Sequence, residues 1–594
     1  MKYPILNELN TSREMLDVFK GYNHNLRIGD GEFYEMTNLS SDNFPILSPR
    51  TKRGIYNHTK HGTPLNPQGM VAKDALCYVD GDKFVINEYR IDMGLSVDRY
   101  TEGEDEGKII PKTLISMGAY VIVMPDKKYI NTENINEFGD IEASVTTSGQ
   151  VSFELCKVDG SAYENVVAQA TAPDTTKLWI DTSSTPHSLK QYSTSSAMWS
   201  TIATTYIKIS TAPGTKTFEA FEVNDGVTIS GIEDAALKDL NASIVILGKG
   251  DNYIIVTGIL DKVTTQTSPM TVERKMPEMD FIVESGNRLW GCRYGPQGNA
   301  IVNEIYASKL GDFKNWSCYQ GISTDSYAAS VGTDGQFTGA ITHLGYPIFF
   351  KENCMHKVYG NYPANYQIQT TACRGVQNGC ERSLAIVNET LYYKARSGIC
   401  AYDGSLPMEI SSALGEISYS KAVAGSLGNK YYISMCDDKG EYHLFVYDAL
   451  KGMWHREDDT EAMAFCNCRG DLFFIDRNGG QIKCVKGTVE SKEDGPIKWE
   501  AVTGIIGTDS PDKKYISRME VRMKLDVGSR VSFFVEYDSS GEWEYLFAMT
   551  GKDLQSFAVP IRPQRCDHLR LRIVGSGDAK IFSICKTFEW GSDK

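Results

Sequence analysis

At 594 residues the chain is too long for one hydrophobic core, and two to four domains are expected. Aromatics make up 11% and the chain holds 53 Gly and 20 Pro, a mix typical of turn-rich β structure. A net charge of −15 excludes a nucleic-acid binder held by phosphate contacts, because an acidic surface repels the duplex.

The opening "MKYPILNELNTSREMLDVFKGYNHNLRIGD" carries charges throughout and has no apolar stretch ahead of a small-residue cleavage site, so no signal peptide is expected. The longest apolar runs, "AYVIVM" and "ASIVIL", are strand-length and far short of the roughly 20 residues of a spanning helix. The expectation is a soluble chain made in a cytoplasm, with its 14 cysteines as reduced, mostly buried thiols.

The first strand pattern is "DALCYVDGDKFVINEYRI", turning at Asp80-Gly81-Asp82, and the next is "TLISMGAYVIVMPDKKYIN", turning at Met117-Gly118. Residues 140–232 differ in character. They are rich in Thr, Ser and Ala, with alternating strands such as "QVSFELCKV", "KLWIDT", "TYIKIST" and "FEAFEV", and read as a β-sandwich inserted in a blade loop. "ASIVILGKGDNYIIVTGI" then reads as the second hairpin of the interrupted blade.

From Asp280 one unit recurs: a short apolar strand, a tight polar turn, then an apolar-aromatic strand. "MDFIVESGNRLWGCRY" turns at Ser285-Gly286-Asn287, "GAITHLGYPIFFKENCMHKVYG" at His343-Leu344-Gly345 and "SLAIVNETLYYKARSGICAYDG" at Asn388-Glu389. "KAVAGSLGNKYYISMCDDKGEYHLFVYD" turns at Gly428-Asn429 and "EAMAFCNCRGDLFFIDRNGGQIKCV" at Arg469-Gly470-Asp471. Their aromatic landmarks, Trp290, Phe349, Tyr392, Tyr432 and Phe473, are spaced 59, 43, 40 and 41 residues apart. A hairpin repeat near 40 is the signature of propeller blades, since one four-stranded blade cannot bury both of its faces alone. The outer strands also rhyme in "NEIYASKLGDFKNWSCY", "HKVYGNYPANYQIQ" and "LFVYDALKGMWHRED", which makes Trp290 and Trp316 packing residues.

With the two upstream units the count is seven blades, six or eight remaining open. From about Ile497, longer alternating strands such as "SRMEVRMKL" and "RVSFFVEYD" indicate a C-terminal β-sandwich. The predicted fold is all-β: a β-propeller with an inserted and a C-terminal β-sandwich. Its parts are an entry segment and first blades over 1–139, the insert over 140–232, the remaining blades over 233–490 and the terminal sandwich over 491–594.

The search for chemistry is mostly negative. There is no G-x-S-x-G, P-loop, G-x-G-x-x-G or H-E-x-x-H. Cys466 and Cys468 point the same way on a strand and could share a metal, or serve as structural thiols; no CxxC or HxxxH partner lies nearby. Asp80 and Asp82 lack EF-hand spacing and read as a hairpin turn. "YDSSGEW", Tyr537 to Trp543, has part of a sialidase Asp-box and reads as a plain β-turn. "WHREDD", Trp454 to Asp459, reads as a charged surface turn or, more sharply, a subunit contact. Acidic pairs suited to glycoside hydrolysis stay open among 76 acidic residues. On balance no catalytic, cofactor-binding or metal residue is expected, no cofactor is expected, and the chain is not expected to be an enzyme.

"MDFIVESGNRLWGCRYG", "NEIYASKLGDFKNWSCYQG", "GAITHLGYPIFFKENCMHKVYG" and "HLFVYDALKGMWHRED" together resemble a family of tailed-phage and prophage structural proteins, the stabilisation, nozzle or tail-hub proteins of short-tailed phages. The segment "DGEFYEMTNLSSDNFPILSPRTKRG" is similar to that family's entry into the propeller, and the resemblance spans about 20–135 and 240–490. It implies a homo-oligomeric ring, usually a hexamer, in the virion tail below the portal and adaptor. Such a ring lengthens the DNA channel, offers tail fibres a docking surface and inserts into no membrane. DNA would pass it without specific binding, which suits an acidic chain. The alternatives are a tail-tip adhesin for host-surface carbohydrate and a cell-wall glycosidase.

Overall fold

The computed structural model describes residues 11–103, 105–298, 300–487, 491–507 and 512–590. The first ten residues, part of the opening read above, lie outside them. The chain is all-β, with four short 3-10 segments of three to six residues among the described residues. Seven blades of one four-stranded antiparallel design recur among the described residues, five as separate sheets, the sixth as the end of a 12-stranded sheet and the seventh within a five-stranded one, and the fold is a β-propeller.

Blade 1 is Pro67–Ala72, Leu76–Asp80, Lys83–Ile86 and Tyr89–Asp92; blade 2 is Thr113–Met117, Tyr120–Met124, Lys128–Asn131 and Phe138–Asp140. Blades 3 and 4 begin at Phe281–Ser285 and Gly339–His343, and blades 5 and 6 at Ala385–Val387 and Ser420–Leu427. Blade 7 has only three strands of its own, Ala462–Cys468, Asp471–Asp476 and Gln481–Cys484. Its fourth is Gly54–Tyr56, from ahead of blade 1, with Ile55 opposite Lys483 and Gly54 opposite Cys484.

Turn chemistry sets these hairpins. Gly286-Asn287, Leu344-Gly345, Asn388-Glu389 and Arg469-Gly470 each place two successive residues at positive φ. That pair of angles gives a two-residue turn whose twist matches the strands it joins. Second strands such as Tyr346–Lys351 and Thr390–Ala395 are buried at nearly every position, because a blade is covered on both faces.

The chain divides into two compact units. One comprises residues 1–114, 350–355 and 371–594; the other comprises 115–349 and 356–370. In the first unit blades 7 and 1 share a core of Met70, Tyr78 and Val85 against Phe473, Ile475 and Ile482. Blades 6 and 7 meet at Tyr432, Val446, Leu472 and Phe474. Gly425 allows that approach, since a Cβ there would lie 2.4 Å from the Cβ of Phe465.

The C-terminal β-sandwich is built on one 24-residue strand, Lys514–Tyr537, with alternating burial. Its first half pairs with Ala579–Trp590 and its second with Leu569–Ser576, while Glu544–Val559 runs beside both. N-terminal strands complete this module. Thr11–Leu16 pairs with Ala579–Trp590, and Glu32–Thr37 pairs with Lys498–Thr503. Gly21–Tyr22 then joins Glu32–Thr37 to Met453–Arg456, so the sandwich continues by backbone hydrogen bonds into blade 6.

In the second unit Trp290 and Trp316 are core residues, 3% and 2% exposed, as the aromatic spacing predicts. Trp316 lies in the core between blades 2 and 3, and Trp290 in that between blades 3 and 4, with Phe349 and Val358.

The insert differs from its sequence reading in two ways. Blade 2 is complete before it, so it lies between blades 2 and 3 and interrupts no blade. Nor does it end at 232. "ASIVILGKGDNYIIVTGI" supplies Ser243–Val245, Gly248–Gly250 and Tyr253–Thr257, which pair with insert strands Gly226–Ser230 and Tyr206–Ser210. The module runs from Ala143 to Arg274, which face each other across an antiparallel stem. A four- and a five-stranded sheet enclose a core of 17 apolar residues, and a third small sheet spans Val166–Thr201. The boundary is hard to read because a sandwich hairpin and a blade hairpin carry the same alternation.

Candidate functional site

Three polar arrangements stand out, two of them buried and the third half-buried. The first lies in the first unit and corrects the surface-turn reading of "WHREDD". Trp454, His455 and Glu457 are 2%, 4% and 4% exposed, Arg456 and Asp458 are half-buried, and Asp459 alone is exposed. Its acids meet the basic entry segment "RTKR". The Arg53 guanidinium donates to Glu457 Oε2 at 2.5 Å, Asp458 Oδ2 at 2.7 Å and Thr460 Oγ1 at 3.0 Å, and lies over the Phe474 ring. Arg50 adds pairs to Glu457, Asp458 and Asp494 at 3.8, 3.7 and 3.2 Å. Burial would raise the Asp458 carboxyl, but Arg53, the Thr460 hydroxyl and Arg50 together hold it below the usual carboxylate range. This clasp fixes the strand Gly54–Tyr56 in blade 7. The neighbouring His455 imidazole is pushed down to about 3, chiefly by burial and then by Lys430.

The second arrangement fastens the insert within the second unit. Arg274, at the end of the stem, pairs with Asp225 and donates through Nε to the Ile141 carbonyl at 3.1 Å; both side chains are 5% exposed. The other Asp225 oxygen accepts from Asn315 Nδ2 at 2.9 Å, and Asn315 Oδ1 accepts from the Gly226 amide at 2.8 Å. Asn315 belongs to "LGDFKNWSCY", the outer loop of blade 3. A Cβ on Gly226 would lie 2.7 Å from Cys318 Sγ, so only glycine permits this contact. The insert is therefore fastened to its blade and does not hang on a tether.

The third is Arg382, just ahead of blade 5. It donates to the Met463 carbonyl in the leading strand of blade 7 at 3.4 Å, to the Pro111 carbonyl at 3.1 Å and to Thr113 Oγ1 at 3.4 Å.

The residues singled out from sequence fall as follows. Cys466 and Cys468 lie on one side of their strand, beside Cys77. Burial, then the neighbouring thiols, pushes Cys466 up to about 12; burial does the same to Cys77. None of the 14 cysteines forms a disulfide, and 11 are buried. Asp80 is buried and accepts from the Leu65 and Asn66 amides at 3.0 and 2.7 Å, holding the chain entering blade 1. "YDSSGEW" opens with a β-turn, Asp538 and Ser539 at positive φ and the Ser540 amide bonded to the Tyr537 carbonyl, in a six-residue connection between strands.

Among the described residues one trio, Asp437, Glu441 and His443, brings potential metal ligands within 4.8 Å of one another. Its Asp437 and His443 side chains hydrogen-bond within a hairpin turn. Asp437 Oδ1 accepts from the Lys439 and Glu441 amides, Oδ2 pairs with His443 Nε2, and Arg456 donates to His443 Nδ1. Sequence reading missed Arg53, Arg274, Asp225, Asn315 and Arg382. The only signal was the complementarity of "RTKR" and "REDD", some 400 positions apart.

No protein-family model and no curated protein matches the chain. Similar solved structures include an exo-β-1,3-galactanase from Phanerochaete chrysosporium, at 8% identity over 51% of this chain and 94% of that one, with a TM-score of 0.21. A Pyrococcus horikoshii acylaminoacyl peptidase is 11% identical over 53% of this chain and 55% of its own, with a TM-score of 0.22. PorZ, a surface component of the type-IX secretion system of Porphyromonas gingivalis, is 9% identical over 88% of this chain and 82% of its own, with a TM-score of 0.23.

These comparisons correct one expectation. The chain was expected not to be an enzyme, on the ground that it lacks known motifs. The matched structures include several glycoside hydrolases, which puts hydrolases among its structural neighbours, so that ground fails. Likenesses this distant assign neither an activity nor a residue.

Proposed function

We propose that the chain is a structural protein of a phage tail. Copies form a ring, a hexamer, that extends the DNA ejection channel below the portal and adaptor and gives fibres a docking surface. The observation that carries this reading is how the appended modules are joined. A continuous sheet and the Arg50–Arg53 clasp tie the C-terminal sandwich and the N-terminal strands to blades 6 and 7. The Arg274–Asp225–Asn315 network ties the insert to blade 3. A ring that guides DNA under load keeps its bore only if each copy resists bending at such joints.

Charge supports the same reading. At −15 the chain offers DNA little to adhere to, in keeping with passage rather than specific binding. The path for DNA in this reading is the bore between copies.

The test is native mass spectrometry and electron microscopy of the full chain, alone and with the portal and adaptor of its own phage. The expected result is a closed ring of six copies whose bore admits a duplex. A chain that stays monomeric at every concentration and is missing from purified tails would overturn the proposal. Peripheral trimers would favour the tail-tip adhesin.

A further inference from the structure

We infer that a cleft between blades 7 and 1, in the first unit, binds a neutral saccharide. It has a volume of about 490 Å³, within the range of small-molecule sites and enough for one or two sugar rings. Three hairpin turns and one loop converge on it. The turns are those after Ala72 and Ile86 in blade 1 and after Cys468 in blade 7, and the loop follows the borrowed strand Gly54–Tyr56.

The floor is apolar and aromatic. Leu76 and Phe473 are buried, and Tyr56 stands edge-on to Phe473 with centroids 5.7 Å apart and an 84° interplanar angle. Tyr78 and His58 also contact the Tyr56 ring, at 6.0 and 6.4 Å, so it is held from several sides.

The rim is polar and underused. The side chains of Asn87 and Asp471 make no hydrogen bond to another described residue, although both line the cleft. Arg469 sits at positive φ and is anchored by Nε to the Asp74 carbonyl at 2.7 Å, which leaves its two terminal nitrogens for a ligand. His58 Nδ1 accepts from the Lys60 and His61 amides at 3.2 Å each, which assigns its proton to Nε2 as a donor. The Glu88 carboxylate makes a 3.5 Å pair with Lys60, while its carbonyl bonds His61 Nε2 at 2.9 Å.

This chemistry selects the ligand class. A pyranose has one C–H face that packs on aromatic surface and a rim of hydroxyls that both donate and accept. An amide, two carboxylates, a guanidinium and an imidazole N–H around an aromatic floor match both features. The carboxylates Glu88 and Asp471 are offset by Arg469 and Lys60, so the rim favours neither an anion nor a cation. The site stands whether or not copies of the chain form a ring.

The test uses the purified full chain on a printed array of neutral hexose- and N-acetylhexosamine-terminated oligosaccharides. Calorimetry with the best-bound oligosaccharide follows, for the wild type, Asn87→Gly and Asp471→Ala, glycine being chosen because Asn87 sits at positive φ. Both side chains lack protein partners, so melting should change little while binding weakens at least tenfold in each. No binding to any neutral oligosaccharide at millimolar concentration would overturn the inference, as would binding that survives both substitutions. Ring assembly is read separately, by mass and microscopy, so failure of one proposal leaves the other standing.

Discussion

Two deletions that differ only in their ends test the insert boundary. Replacing 142–275 with a short Gly-Ser linker removes the whole module, and the linker has little to span because Ala143 and Arg274 are strand partners, about 5 Å apart. Replacing 140–232 leaves Leu237, Leu240, Ile246, Ile254, Val256, Leu260, Met270 and Val272 without the strands that cover them. Burying each such side chain contributes roughly 1.5–3 kcal/mol, so the remnant loses on the order of 10–25 kcal/mol and cannot stay folded. The assay is thermal melting with a dye that reports exposed apolar surface, together with gel filtration. The longer deletion should melt cooperatively, bind little dye and elute as one species. The shorter one should bind dye at low temperature and aggregate. The reasoning fails if the shorter deletion behaves like the wild type, or if the longer one does not fold.

Two further outcomes follow from the buried charges. Arg53→Met leaves Glu457 and Asp458 buried with Arg50 as their remaining cation, and should cost the first unit about 3–5 kcal/mol in denaturant unfolding; a loss below 1 kcal/mol would show that the clasp does not hold the borrowed strand. The His455 imidazole stays neutral in the folded chain down to about pH 3 but takes up a proton near 6.5 once unfolded. The unfolded state therefore binds more protons across that window, and stability falls as pH drops through it. His455→Gln should flatten this acid limb, read as urea midpoints between pH 7 and 4, and identical slopes would contradict the assignment.

Much of the propeller was legible because its signals are local. Turn residues such as Gly286-Asn287 and Asn388-Glu389, and an aromatic about every 40 positions, mark each blade within its own sequence. What escaped was non-local. Nothing in "GIY" at 54–56 announces a partner at 483–484, and nothing in Glu32–Thr37 announces one at 500–503. The acids of "WHREDD" looked solvated because their cations lie at the other end of the chain. The cleft was illegible for the same reason: Tyr56, Asn87 and Asp471 come from segments brought together only by the packing of blade 7 on blade 1.

The strand that blade 7 borrows also sets a timetable. Gly54–Tyr56 leaves the ribosome early, yet its partner Gln481–Cys484 is made more than 400 residues later. At roughly 5–20 residues per second that is a wait of about 20–90 s, during which the edge of Gly54–Tyr56 is unpaired and the Arg53 guanidinium has none of its acids. A nascent chain truncated anywhere before residue 484 therefore carries an incomplete last blade, however well its earlier blades have formed. Closing the last blade comes down to one late event, the docking of a three-residue strand on the hairpin of blade 7, and the strands Glu32–Thr37 and Thr11–Leu16 wait longer still for Lys498–Thr503 and Ala579–Trp590.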